Sequence, residues 1–274
     1  MARLGGIEDL EFTSKIAIVT GAASLIGVSI VEKLLERGAV VIASDLAAQG
    51  VHLSHLVEKE GFLFVATDVS VDDQLKDLVE VARVEFGGVD FLVNGAAVFT
   101  DEKLDASKSN WHRSFDVNVI GPAMLISLCA PIMSARGGGS IVSIASISGI
   151  RAQPNRLLYP VTKAALLGLT RNCAMILADS KIRVNAVLPG WTWSRNLERR
   201  YGSRERADAF AAEFQVMGRL VNPSEVADSV IFLLSERASF ITGSELSVDG
   251  GYGAMGPEAI GQPFVKVPVL PEFL

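Results

Sequence analysis

The 274-residue chain holds two cysteines and three histidines, and that shortage removes whole classes of chemistry. Cys129 and Cys173 both fall in apolar helical patterns. They read as small core residues of a reducing compartment, with a disulfide between them the minor reading. Too few soft ligands remain for a zinc site, so no metal is expected. His52 and His55 have the spacing of one helix face and read as solvated surface. Positive charge is also scarce. Lys and Arg number 25 against 31 Asp and Glu, a net charge of −6, which gives no basic field for nucleic acid. No basic patch with an apolar signal core opens the chain, and no uninterrupted apolar run is long enough to cross a bilayer. The expectation is a soluble, cytoplasmic protein with neither nucleic acid nor membrane among its partners.

What the chain does have is apolar weight: 49% of residues are hydrophobic. That excludes disorder and allows a large core without staples. Seven short runs rich in Val and Ile read as strands: KIAIVT (15–20), AVVIASD (39–45), FLFVATD (62–68), VDFLVN (89–94), SIVSIAS (140–146), RVNAVLP (183–189) and ELSVDG (245–250). Several are apolar almost throughout, as parallel strands covered on both faces must be. Helical patterns alternate with them. Ser24 is placed to cap IGVSIVEKLLER, with Gly38 closing it. Ser70 is placed to cap VDDQLKDLVEVARVEF, with Asp73 answering it and Gly87 stopping it. Such alternation predicts an α/β fold, a doubly wound Rossmann-type parallel sheet with helices on both faces.

With no internal repeat and no linker, residues 1–274 read as a single domain. Two regions break the rhythm. The stretch 191–218 is charged, aromatic and long, and it follows a strand end. It reads as a substrate lid inserted over the sheet's carboxyl edge, where α/β ligands bind. The tail 254–274 carries four prolines among apolar residues. It is too greasy to float free and is expected to dock, on a neighbouring subunit for instance.

Chemistry gathers at three places. TGAASLIG follows the first strand and opens a helix, with Gly21 and Gly27 in the outer two roles of a dinucleotide-binding turn. Alone that signal is weak. Asp45, at the end of the second strand, strengthens it: an acidic residue there accepts from the ribose hydroxyls of NAD and repels the 2′-phosphate of NADP. Neither Ser24 nor Leu46 supplies the cation that NADP wants. Further on, YPVTK puts Tyr159 and Lys163 four residues apart on one helix face. Ser146 ends the strand thirteen residues upstream, on the ligand edge. Free tyrosine, with a pKa of about 10, is a poor base at neutral pH. An ammonium ~5 Å away at an effective dielectric of ~20 is worth ~3 kcal/mol, about two pK units. That would bring the phenol towards working pH, where acid–base catalysis is most efficient.

These residues resemble the short-chain dehydrogenase/reductase family, from about Lys15 to Gly253. The motifs follow in that family's order: TGAASLIG, Asp45, TDV at 67–69, VNGAA at 93–97, DVN at 116–118, SIVSIAS, YPVTK, Pro189-Gly190 and PSEVADSVIFLLSE…ITGSELSVDGGY. The resemblance implies an NAD-dependent oxidoreductase interconverting a secondary alcohol and its ketone. It casts Tyr159 as general acid/base, Lys163 as the residue that binds the nicotinamide ribose and lowers the tyrosine pKa, and Ser146 as the group orienting the substrate oxygen. Asn118 takes the part of the helix residue that holds a relay water. The coenzyme positions it implies are Gly21, Ser24, Ile26, Gly27, Asp45, Leu46, Asp68, Val69, Asn94, Ala96, Pro189, Gly190 and Thr192, together with Tyr159 and Lys163. It also implies a homotetramer, and the apolar excess of 122–135 and of the helix bearing Tyr159 agrees.

The sequence departs from that pattern at Leu25, which replaces the middle glycine, and at Gly95, Ala97 and Ser194. Leu25 lies two residues before Gly27, about 200° around the helix, and so is expected to flank the coenzyme. Gly95 loses an amide that braces the sheet. These departures favour a rival reading, a binding or regulatory protein without turnover; the intact Asn-Ser-Tyr-Lys set favours the enzyme. Trp191 and Trp193 suit either a wall for an apolar substrate or packing of the insertion. Phe99, Arg151 and Gln153 line the pocket by position. Arg195, Arg199, Arg200, Arg204 and Arg206 suit a substrate carboxylate, but Glu198, Glu205, Asp208 and Glu213 offset them, and the mixture reads as a solvated helix face. The substrate expected is a hydrophobic cyclic or aryl alcohol.

Overall fold

Seven parallel strands form one sheet in the computed structural model, which describes residues 10–99 and 103–256. They are β1 (Ile16–Thr20), β2 (Val40–Asp45), β3 (Phe62–Ala66), β4 (Phe91–Asn94), β5 (Gly139–Ile144), β6 (Ile182–Pro189) and β7 (Glu245–Val248), in the order β3-β2-β1-β4-β5-β6-β7. Each lies within a residue or two of its predicted run. The order reverses between β1 and β4, which opens the crevice where a doubly wound sheet takes its ligand. The predicted Rossmann-type single domain is what the chain adopts.

The helices are α1 (Leu25–Leu35), α2 (Asp72–Phe86), α3 (Lys108–Phe115), α4 (Gly121–Ala135), α5 (Leu158–Ile176), α6 (Arg195–Tyr201), α7 (Arg204–Ala211) and α8 (Pro223–Leu234). On one face α1 and α8 bury Ile30, Val31, Leu34, Val230 and Leu234 against Val19, Val41 and Val142. On the other, α2 and α4 bury Leu78, Leu125 and Met133 against Ile18, Leu92 and Ile141. Strands covered this way have no polar face to show, which explains their unbroken apolar runs.

The Ser24 cap forms as predicted: its hydroxyl accepts from Gly27 N at 3.0 Å and donates to Gly21 O at 2.9 Å. Ser70 does not cap α2. Its hydroxyl is taken by Asp68 Oδ1 at 2.6 Å, the helix starts behind Val71, and Asp73 pairs with Lys76 instead. Two competing partners, each one turn of chain away, decided that end. Gly87, in the left-handed conformation, stops the helix as expected.

No local pattern announced that α3 and α4 would join, through a π-turn at Asp116–Ile120, into one helical run of 28 residues over Lys108–Ala135. By length and composition that run could cross a membrane. Here α4 lies on the sheet through Leu125, Ile126, Cys129 and Met133. Cys129 and Cys173 are free thiols, and burial pushes Cys129 up to about 12.

Of the predicted tail, residues 254–256 are described and 257–274 lie outside the described residues.

Candidate active site

The carboxyl ends of the central strands carry polar side chains in one register. Ser44, Thr20, Asn94 and Ser143 lie opposite one another across β2, β1, β4 and β5. Thr20 is used: its hydroxyl accepts from Gly95 N at 3.2 Å and Ala96 N at 3.3 Å. Ser44 Oγ, Ser143 Oγ and both amide atoms of Asn94 are buried without a partner among the described residues. Such orphans are rare, and they suit an edge that receives a polar ligand.

The glycine turn fits a dinucleotide for a more specific reason. Gly21 has φ +64°, and a Cβ there would stand 2.5 Å from the carbonyl carbon of Gly95. A Cβ on Gly95 would in turn stand 2.6 Å from Thr20 O. The two departing strands approach so closely that neither position accepts a side chain. Gly95, expected to soften the sheet, is therefore what lets β1 and β4 come together. Asp45 closes the turn from the far side, accepting from Ala23 N at 3.0 Å and Leu46 N at 2.8 Å. Those two bonds leave lone pairs on both carboxylate oxygens for a ribose. Asp68 is held ionised by the Ser70 hydroxyl and amide, which draw its pKa down, while Val69 is buried in the core beside it. Leu25 is the first residue of α1 and half-buried; Ile26, not Leu25, lines the cavity beside Tyr159. The residues present fit a nicotinamide dinucleotide: Gly21, Ser24, Gly27, Asp45, Leu46, Asn94 and Ala96 gather at the glycine turn and the strand ends beside it, and Ile26 reaches the cavity that Tyr159 lines. Pro189, Gly190 and Thr192 line that same cavity, at the carboxyl end of β6.

At that end, a cavity of about 620 Å³ brings Ser146, Tyr159, Pro189, Gly190 and Thr192 together. Ser146 is hydrogen-bonded to the Tyr159 side chain. Lys163, 2% exposed, donates to Ile144 O at 2.7 Å and lies 5.5 Å from the centre of the Tyr159 ring. All three predicted groups thus meet. The expected pKa ordering does not follow: burial raises the phenol first, while the Ser146 bond and the Arg156 charge pull it back. Desolvation also brings Lys163 down to about 8. Both charged forms have lost water, so the simple lysine–tyrosine attraction is not the leading effect.

Asn118 is buried in the π-turn, and its side chain makes three hydrogen bonds. Oδ1 accepts from Val98 N at 2.8 Å; Nδ2 donates to Val98 O and to Thr162 Oγ1, each at 3.0 Å. Thr162 donates to Tyr159 O at 2.8 Å. The side chain therefore ties the loop after β4 to the first turn of α5. π-turns recur at functional sites because they re-aim one residue.

The insertion does sit over the carboxyl edge. Trp191 meets Phe210 edge-on and Phe214 at a steep tilt, with ring centroids 5.5 and 5.2 Å apart, and it lines the cavity. Trp193 packs within the insertion beneath Arg204. Each tryptophan thus takes one of the two expected parts. Phe99, Arg151 and Gln153 line the cavities as predicted. The arginines of the insertion do not form one solvated face: Arg195 donates to Ala23 O at 2.7 Å, beside the glycine turn, and Arg199 and Arg200 line the cavity. Arg156 was missed altogether. Its guanidinium stacks on Phe99 and Trp191, 4.9 and 5.2 Å from their ring centres. Its only sequence signal is its place three residues before Tyr159. Among the described residues no group of three His, Cys, Asp or Glu could hold a metal.

The enoyl-(acyl carrier protein) reductase family model matches residues 21–253. The chain is 38% identical to cis-4-hydroxycyclohexanecarboxylate dehydrogenase of Sinomonas cyclohexanicum over 250 residues, covering 89% of this chain and 98% of that one. It is 34% identical to the 3-oxoacyl-[acyl-carrier-protein] reductase of Thermotoga maritima, covering 88% and 99%. Among solved structures it is similar to L-sorbose reductase of Gluconobacter frateurii, complexed with NADPH and L-sorbose. There the TM-score is 0.85 and the identity 31%, over 90% of this chain and 100% of that one.

Proposed function

Because the chain belongs to the short-chain dehydrogenase/reductase family of oxidoreductases, we propose that it interconverts a secondary alcohol and its ketone with NAD, using Tyr159 as general acid/base. The observation that carries this reading is that Ser146 and Tyr159 share one cavity wall at the ligand edge of the sheet, with the buried Lys163 ammonium 5.5 Å from the centre of the Tyr159 ring. Bound NAD supplies the hydride acceptor. Tyr159 takes the hydroxyl proton in oxidation and returns it in reduction. Ser146 donates to the substrate oxygen, offering a preorganised partner for charge that develops there. Lys163 keeps an ammonium behind the ring at neutral pH, since its pKa is about 8. Asn118 sets the position of α5 and hence of the phenol.

NAD rather than NADP rests on Asp45 and on Leu46, an exposed aliphatic where a 2′-phosphate would want a cation. The sorbose reductase was solved with NADPH, so the two coenzymes must be compared directly. A hydrophobic cyclic or aryl alcohol suits the walls formed by Phe99 and Trp191, and the Sinomonas relative is named for a ring alcohol. The segment 191–218 acts as a lid over this substrate. The protein is taken to be a cytoplasmic homotetramer; apolar side chains left open on α4 and α5, including Met124, Val161, Met175 and Ile176, support the assembly. Incubating the protein with NAD and a panel of cyclic and aryl alcohols, and reading NADH absorbance, tests the reading. No NADH from any alcohol, and no oxidation of NADH by the matching ketones, would leave only a binding protein.

A further inference from the structure

Outside the Tyr159 cavity lies a second chamber of about 570 Å³, lined by Arg151, Arg156 and Arg200 among aromatic rings. Gln153, Arg156, Trp191 and Arg200 border both spaces and form the neck between them. We propose that Gln153 is a specificity-determining residue: its side-chain amino group donates to a neutral carbonyl oxygen that the substrate carries away from its reacting carbon. This deepens the dehydrogenase reading and rests on it for the position of the reacting oxygen.

Three observations carry the assignment. First, chemistry fixes which end of the carboxamide is which. Arg156 Nη1 lies 2.9 Å from one terminal atom of Gln153, and a guanidinium can only donate, so that atom is the oxygen Oε1. The Ser148 hydroxyl donates to the same oxygen at 2.7 Å. Second, those two bonds leave Nε2, with its two N–H groups, without a partner among the described residues, on a side chain that lines both spaces. A donor placed there is satisfied by water or by a ligand oxygen, and a ligand that displaces the water without supplying an oxygen strands it. Third, Ser148 ties Gln153 to the reacting end. Ser148 is buried; its N donates to Ser146 Oγ at 3.1 Å while its hydroxyl holds Gln153, and Ser146 is bonded to the Tyr159 side chain. One buried residue therefore keeps the group that meets the reacting oxygen and the group that meets the second oxygen in fixed relation. An amide donor is uncharged, so it matches a ketone or ester carbonyl without stripping an ion of its water. A substrate that satisfies both is a compact apolar body with its hydroxyl at one end and a carbonyl oxygen at the other.

The test uses the full chain, NAD and two alcohols of one shape: methyl 4-hydroxycyclohexanecarboxylate and 4-sec-butylcyclohexanol, in which carbon replaces both ester oxygens. The 3-substituted pair is run alongside. Two variants separate donation from bracing. Gln153→Glu keeps an oxygen for Ser148 and Arg156 but puts an acceptor where Nε2 was, and Gln153→Met fills the space with no polar group. The ester/alkyl ratio of kcat/KM should fall roughly tenfold from wild type in both variants, through loss of the ester alone. A residue that merely braced its loop would leave the ratio of wild type in Gln153→Glu, so an unchanged ratio there overturns the assignment. Binding is read separately, by quenching of tryptophan fluorescence with methyl cyclohexanecarboxylate, which lacks the reacting hydroxyl; its affinity should fall roughly tenfold in each variant. If no alcohol yields NADH while that titration stays dependent on Gln153, the contact stands and the dehydrogenase reading falls. NADH from both alcohols, with ratio and titration indifferent to Gln153, does the reverse: the dehydrogenase stands and the contact falls.

Discussion

The glycine turn under the coenzyme groove and the arginine chamber outside Tyr159 are built on opposite principles. At the turn, main chain meets main chain: Gly21 against Gly95, Gly95 against Thr20, with Asp45 bonded to two backbone amides. Position there is set by the absence of side chains. In the chamber, side chain meets side chain, through Arg156 on Phe99 and Trp191 on Phe214, and much of that surface is open to solvent. A backbone cradle has one geometry and suits an invariant ligand. A wall of exposed side chains can be changed residue by residue, which is how one fold serves many substrates. Tyr159 stands at the seam between the two.

The largest effect is therefore expected at the seam. Tyr159→Phe removes the proposed proton-transfer group and leaves the ring packing on Phe99. Turnover should drop ~10³-fold, about 4 kcal/mol in the barrier, while NAD affinity measured by fluorescence changes little. Equal loss of NAD binding would mean that the ring belongs to the cradle rather than the seam. Next comes a pH effect confined to the desolvated side. Lys163 titrates near 8 in the folded chain against 10.5 for an ordinary lysine. Below pH 8 both states hold the proton and the cost of burying it is present in full. Between 8 and 10.5 the unfolded chain keeps more protons, so stability climbs with pH. The rise should be about 3 kcal/mol relative to Lys163→Met, followed by urea unfolding across that window.

A direct contest between the two regions is Gly21→Ala against Arg200→Ala. At Gly21 the new methyl meets a peptide group and the backbone sits at positive φ, so nothing flexible can yield. Unfolding free energy should fall by about 2 kcal/mol or more, with NAD binding weakened as well. At Arg200, an exposed side chain, the change should stay within about 0.5 kcal/mol. Comparable losses at both sites would erase the distinction.

The same distinction explains what could be read from the residues. All seven strands were legible, because burial on both faces writes itself as uninterrupted Val and Ile. Gly21, Asp45, Ser146, Tyr159 and Lys163 were legible because each role demands one residue type at one position along the fold. Arg156 was not, since a lone arginine in the loop before α5 looks the same whether it faces solvent or rings, and Arg200 reads as solvated surface because acids flank it in sequence. The Ser70 cap failed because Asp68 offered the hydroxyl a nearer acceptor. The use of Asn118 was hidden for a different reason: its three bonds reach Val98 and Thr162, 20 and 44 residues away in sequence, and depend on a π-turn that no local pattern announces.

A smaller effect than at Gly21 belongs to the residue that on its face contradicts the cradle. Leu25 stands where the family places a glycine, yet it occupies the opening position of α1, one residue after the Ser24 cap, and leaves the cavity wall to Ile26. Helical backbone at that point has no need of glycine's freedom, and leucine is the better helix former by about 0.8 kcal/mol. Leu25→Gly should therefore lower stability by about that amount and change NAD affinity by no more than roughly threefold, about 0.7 kcal/mol. Thermal unfolding with and without NAD separates the two quantities. A gain of tenfold or more in NAD affinity would mean that the leucine crowds the pyrophosphate path. The cradle would then be only partly backbone-built, with a side chain set into it as a brake on coenzyme binding.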